Sequence, residues 1–154
     1  MPSQKERVEI LKDELKKRIL VLDGAMGTAI QQKNLNAADF GGSDLEGCNE
    51  NLTLTRPSII QDIHESYLNA GCDIVETNTF GATPFVLDEY GLGSKAYEIN
   101  RSAAEIARKA AHKFSKNNKL KFVAGSIGPT TKAISVTGGI SFDDLVSNFK
   151  TQAK

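Results

Sequence analysis

The chain has 154 residues, 40% of them hydrophobic, which suits one domain with a real core. Lys plus Arg and Asp plus Glu both number 19, and this zero balance without a basic stripe argues against nucleic-acid or membrane-surface binding. No apolar run approaches the ~20 residues of a membrane span, and the N-terminus lacks a signal-peptide core, so the expected location is the cytoplasm.

The first expected element is an amphipathic helix over 3–17, with Ser3 and Glu6 as a capping box and Val8, Leu11 and Leu15 on one face beside Ile10. Ile19 to Leu22 then form a continuous apolar run, as expected of a parallel-sheet strand covered on both faces. Asp23 follows at the strand tip, and Gly24 and Gly27 allow a sharp turn or the close approach of a ligand. A short helix is expected over 28–32, and 34–51 reads as loop.

Pro57 opens a second long helix, with Ile59, Ile60, Ile63, Tyr67 and Leu68 as its stripe and Gly71 as its stop. A strand over 73–80 comes next, its tip crowded with polar side chains, and Gly81 and Pro84 end it. Ser94 opens a helix packing through Ala96, Ile99, Ala103, Ile106, Ala107 and Ala110, which Asn117-Asn118 breaks. A third strand over 122–127 runs into Gly128-Pro129-Thr130-Thr131. Ser141 caps a last helix, with Asp144 in the box position and Phe142, Leu145, Val146 and Phe149 on its buried side.

The class is therefore α/β, a leading helix followed by about three βα units, which implies a parallel sheet with right-handed crossovers. A doubly wound sheet and a (β/α)₈ barrel both fit this order, and three strands are few for either. The expectation is a piece of something longer.

Several residues stand out chemically. Gly24-Ala25-Met26-Gly27-Thr28 is not a phosphate loop, but backbone N–H groups at such a turn can hold a small anion. Asp23 and Glu76, at neighbouring strand tips, form a pair suited to an ammonium or to general-base work, or else to ordinary capping and ion pairing. Thr77, Asn78 and Thr79 put three polar side chains where a strand should be apolar, which reads as site lining. Ser126, Thr130 and Thr131 repeat this more weakly. His64 reads as a packed core histidine, and His112 as a helix-end charge. Cys48 and Cys72 lack CxxC spacing and partners for a zinc site, and read as incidental thiols. Two glycosylation patterns, at Asn51 and Asn100, carry little weight without a secretory signal.

Taken together, RILVLDGAMGTAIQ at 18–31, GCNENLTLTRPSII at 47–60, IHESYLNAGCDIVETNTFGAT at 63–83 and FVAGSIGPTTKAIS at 122–135 resemble the homocysteine S-methyltransferase family. Within it, the likeness is to the N-terminal module of cobalamin-dependent methionine synthases. The resemblance spans nearly all of 1–154 and implies the N-terminal portion of a (β/α)₈ TIM barrel. It implies that Asp23 holds the substrate's amino group, that N–H groups of Gly24, Ala25 and Met26 take its carboxylate, and that Thr77, Asn78, Thr79 and Phe80 line the pocket. It also implies zinc, cobalamin and folate- and cobalamin-binding modules downstream in the parent protein, a methyltransferase that makes methionine. Betaine or S-methylmethionine are the alternative methyl donors.

The family's zinc ligands, a later cysteine and a Cys-Cys pair, have no counterpart here, nor does a further amine-binding carboxylate after a fourth strand. The loop over 134–140 is also shorter than in methionine synthases. The expectation is thus a homocysteine-binding fragment, inactive alone and without zinc or cobalamin, with no catalytic or metal residue assigned. A non-catalytic half-barrel that self-associates through open sheet edges is the reading from another class.

Overall fold

The computed structural model describes residues 2–116, 119–135 and 138–154; Asn117-Asn118 and part of the 134–140 loop lie outside these. α1 (Gln4–Lys17) carries the expected Ser3–Glu6 capping box. It buries no residue: Val8, Ile10 and Leu15 remain exposed and Leu11 is half-buried, while Arg7 stacks over the Phe122 ring. After α2 (Met26–Gln31), the 34–51 stretch expected to be loop holds the short helix α3 (Ala37–Phe40) and two 3₁₀ turns, and α4 (Leu52–Thr55) follows it. α5 (Pro57–Ala70) opens on its proline and closes on Gly71, whose φ of 112° is the left-handed conformation that favours glycine.

The sheet is smaller than the periodicity predicts. β1 (Ile74–Glu76) pairs in parallel with β2 (Phe122–Ala124), with Val75 opposite Val123. The Ile19–Leu22 run is not a strand covered on both faces. It touches β1 through a single parallel bridge, Leu22 to Ile74, and Ile19 is 90% exposed. An apolar run is buried only if elements lie on both sides of it, and among the described residues none covers it. Strand character also stops early at both tips, because the backbone beyond Glu76 and Ala124 turns to make the hydrogen bonds of the site.

Between the strands lie α6 (Pro84–Asp88) and α7 (Ala96–Phe114). α6 is missing from the sequence reading, which took Pro84 only as a strand stop. In fact Thr83 caps this helix and Pro84 fills its first turn, where no N–H is needed. α7 enters through a 3₁₀ turn rather than a Ser94 cap, and it ends at Phe114. Its alanine stripe lets it lie close on α5 and β1. Leu68, Cys72, Val75, Ala107 and Ala110 form one core cluster. Ile30, Phe40, Leu52, Ile60 and Ile63 form a second beside it.

α8 (Phe142–Gln152) forms where expected, with Ser141 as its cap, but faces the other way. Its buried residues are Asn148 and Gln152, and Phe142 is 66% exposed. Phe142, Leu145, Val146 and Phe149 line a shallow surface groove instead of the core. Hydrogen bonding explains the orientation: Asn148 Oδ1 accepts the Phe85 N–H at 3.0 Å, and Gln152 Nε2 donates to the Thr79 carbonyl at 2.7 Å. Among the described residues no helix is long and apolar enough to cross a membrane.

His64 lies fully buried on α5, one turn from Ile60 on one side and Leu68 on the other, with neither ring nitrogen hydrogen-bonded among the described residues. Burial lowers its pKa from 6.5 to about 4. The folded state therefore refuses a proton that the unfolded chain accepts. Stability should be unaffected above pH 6.5 and fall as pH drops from 6.5 towards 4, by about 3 kcal/mol in all. His64→Leu should flatten that limb in urea titrations at pH 7.5 and 4.5; an unchanged slope would refute the account.

Candidate substrate site

The site begins with the way Asp23 is built into the sheet. Its N–H donates to the Ile74 carbonyl at 2.9 Å, and its Oδ1 accepts the Glu76 N–H at 3.0 Å. Asp23 is thus both a rung of the pairing and a carboxylate at its tip. Gly24 lets the chain pass Tyr67, whose ring would lie 3.3 Å from any Cβ placed there. α2 starts two residues on, with Ala25 as its cap position and no side chain capping it, so its first amides are left open.

Thr77 to Phe80 form a turn, not the end of a strand, and most of their polar groups are already engaged. The Thr77 and Thr79 hydroxyls lie 2.6 Å apart, the Ser126 N–H donates to Thr77 Oγ1, and Thr79 Oγ1 donates to the Ser126 carbonyl. Asn78 Nδ2 donates to the Asn49 carbonyl at 2.7 Å. The site's polar tip is held together by its own groups, so its hydroxyls are less free for a ligand than the sequence suggests. Phe80 is 59% exposed, and its carbonyl accepts the Gly128 N–H at 2.9 Å. A Cβ on residue 128 would sit 2.6 Å from that oxygen, so only glycine fits there.

Asp23, Gly24, Ala25, Met26, Thr77, Asn78, Thr79 and Phe80 all line one cavity of about 460 Å³. Gly27, Glu76 and Ser126 join them, whereas Thr130 and Thr131 do not. Asn49 and Glu50 also line it and were missed by the sequence reading. They come from a loop with no periodicity, and no local signal marks them. Glu50 Oε1 accepts the Gly81 N–H at 2.8 Å, tying that loop to the turn after β1. The lining holds three carboxylates and no Lys, Arg or His. Burial, opposed by the Glu76 N–H and assisted by the Glu76 charge, pushes the Asp23 pKa up to about 6.

A thiolate metal site does not fit these residues. Among the described residues no three of His, Cys, Asp and Glu are grouped to hold an ion. Cys48 and Cys72 are buried, and burial pushes both thiols up to about 11, away from the thiolate a zinc ion needs.

The homocysteine S-methyltransferase family model matches residues 20–154. The chain belongs to this family. Among solved structures, the homocysteine methyltransferase MmuM from Escherichia coli in its oxidized form is similar. It shows 30% identity and a TM-score of 0.64 over 78% of this chain and 41% of the MmuM chain. The metallated form of MmuM aligns over 94% of this chain and 52% of its own, with a TM-score of 0.73 at 23% identity, a likeness of fold. This homocysteine S-methyltransferase chain thus spans about half the length of the structures it matches. The mixed, helix-rich α/β fold of this chain, with its small parallel sheet, is similar to part of these structures.

Proposed function

We propose that this chain is the N-terminal part of a (β/α)₈ barrel and forms the amino-acid end of a homocysteine pocket. The observation that carries this is Asp23 beside the open amides of the Gly24–Met26 turn, in a cavity sized for an amino acid. Asp23 takes the ammonium, and the amides take the carboxylate. Phe80 and Met26 lie along the hydrocarbon chain, and Thr77, Asn78 and Thr79 keep the wall rigid through their own hydrogen bonds.

The parent reaction is methyl transfer to the homocysteine sulfur, making methionine. Zinc would supply the acidified thiol, and cobalamin, recharged by methyltetrahydrofolate, would supply the methyl group. The described residues do not fit the zinc ion, so their part is confined to binding and orienting the amino acid. A corrinoid far exceeds the cavity and belongs to a separate module. The donor half of the reading rests on the resemblance alone, and betaine or S-methylmethionine would leave the amino-acid end unchanged.

Calorimetric titration tests the proposal. L-homocysteine should bind with one-to-one stoichiometry, while 3-aminopropane-1-thiol, which lacks the carboxylate, should not. Absence of homocysteine binding would overturn it. A self-associating half-barrel is the second reading, favoured by the exposed Ile19, Val21, Leu22 and Phe142. Large apolar side chains in such number mark surfaces that seek cover.

A further inference from the structure

We propose that Glu76 is a second carboxylate on the ammonium of the amino-acid substrate, and that Ser126 orients it. The inference rests on the homocysteine reading and adds a specificity-determining residue to it.

Charge along β1 is arranged by end. At the end where β1 begins, Asp73 is met by Arg18, and Lys121 donates to the Cys72 carbonyl. At the other end Asp23 and Glu76 face one cavity, and neither forms an ion pair among the described residues. The basic groups nearest in the sheet are thus committed elsewhere. Two carboxylates without a counter-charge repel each other, and a cation placed between them relieves that repulsion while both stay charged.

The hydrogen-bond inventory points the same way. Asp23 Oδ1 is used by the Glu76 N–H, and Glu76 Oε2 accepts the Ser126 hydroxyl at 3.3 Å. Among the described residues one oxygen of each carboxylate is left over. A substrate ammonium has three N–H donors and can donate to both of these oxygens at once. Ser126 is itself fixed by its backbone, through Thr77 and Thr79, so its hydroxyl is a rigid handle on Glu76.

The test compares L-homocysteine with 4-sulfanylbutanoic acid, which keeps the thiol and carboxylate but lacks the amine. Calorimetry on the wild-type chain and on Glu76→Gln gives four affinities. Glu76→Gln should lose about tenfold or more for homocysteine and leave the amine-free ligand unchanged. Equal weakening of both ligands means a structural role only, and no weakening means no role; either result overturns the proposal. Ser126→Ala, which leaves the backbone bonds in place, should reduce the preference several-fold, and it keeps the test valid if Glu76→Gln does not fold. Failure of the wild type to bind homocysteine at all would instead refute the homocysteine reading beneath it.

Discussion

Asp73→Ala should destabilise the chain by about 2–4 kcal/mol, read as a drop in the urea midpoint at neutral pH. Asp73 is only 8% exposed and is approached from three directions. Arg18 meets it with both terminal nitrogens, at 2.8 and 3.1 Å, the Val21 N–H donates at 3.1 Å, and Lys121 stands 3.7 Å away. The Arg18 hydrogen bonds hold its carboxyl below the usual range, so the network is intact at neutral pH. Arg18 is partly open to water, which keeps the expected loss below that of a fully buried pair. The Val21 N–H adds to the loss, because its bond to Asp73 helps tie the segment carrying Asp23 to β1, beside the bonds of the Asp73 and Ile74 N–H groups to the Val21 carbonyl. Asp73→Asn, which keeps one acceptor for that N–H, should fall between the two. A midpoint unchanged in Asp73→Ala would refute the account.

Asp23→Asn should change stability and affinity in opposite directions. The Asp23 carboxyl titrates near 6 in the folded chain against 3.8 ordinarily, chiefly because it is buried. A raised acid contributes stability below its unfolded pKa and loses it as pH rises through the folded one. Above pH 6 the folded state therefore carries a charge it disfavours. The neutral amide removes that cost and keeps an oxygen to accept the Glu76 N–H. Thermal melts should show the variant more stable at pH 7.5, on the order of 1 kcal/mol, and nearly equal to the parent at pH 4. Homocysteine affinity should fall by about ten- to a hundredfold, the cost of losing a charged partner for the ammonium. A variant less stable at pH 7.5 would show that the carboxylate is structural. His64 acts in the opposite sense over an overlapping range, so each comparison is made between variant and parent at one pH.

What the sequence discloses here is what local chemistry encodes. The Ser3–Glu6 box, Pro57 and Gly71 mark α1 and α5 because caps and stops are satisfied by residues within one turn. The alanine stripe of α7 shows for the same reason. α6 escaped because Pro84 ends a strand as readily as it opens a helix, and only the Thr83 cap decides between them. For Ile19–Leu22, apolarity states a demand for cover but not whether neighbours meet it. In α8 the periodicity locates the helix but not its facing. Asn148 and Gln152 turned inward because backbone groups of the site needed partners, a need written in other segments. The site divides likewise: Asp23 and Thr77–Thr79 are visible as polarity at strand tips and Phe80 through the family resemblance, while the inward spending of the threonine hydroxyls and the arrival of Asn49 and Glu50 depend on distant chain.

The double use of Asp23 carries a further consequence. Its backbone N–H is a rung to Ile74 and its carboxylate caps the Glu76 amide, so whatever orders that side chain also orders the seam between the first segment and β1. Thermodynamic linkage makes this reciprocal: a ligand that grips the carboxylate tightens the seam by the same factor by which a closed seam improves the grip. If Asp23 holds the ligand as proposed, occupancy and edge pairing in this chain are coupled equilibria.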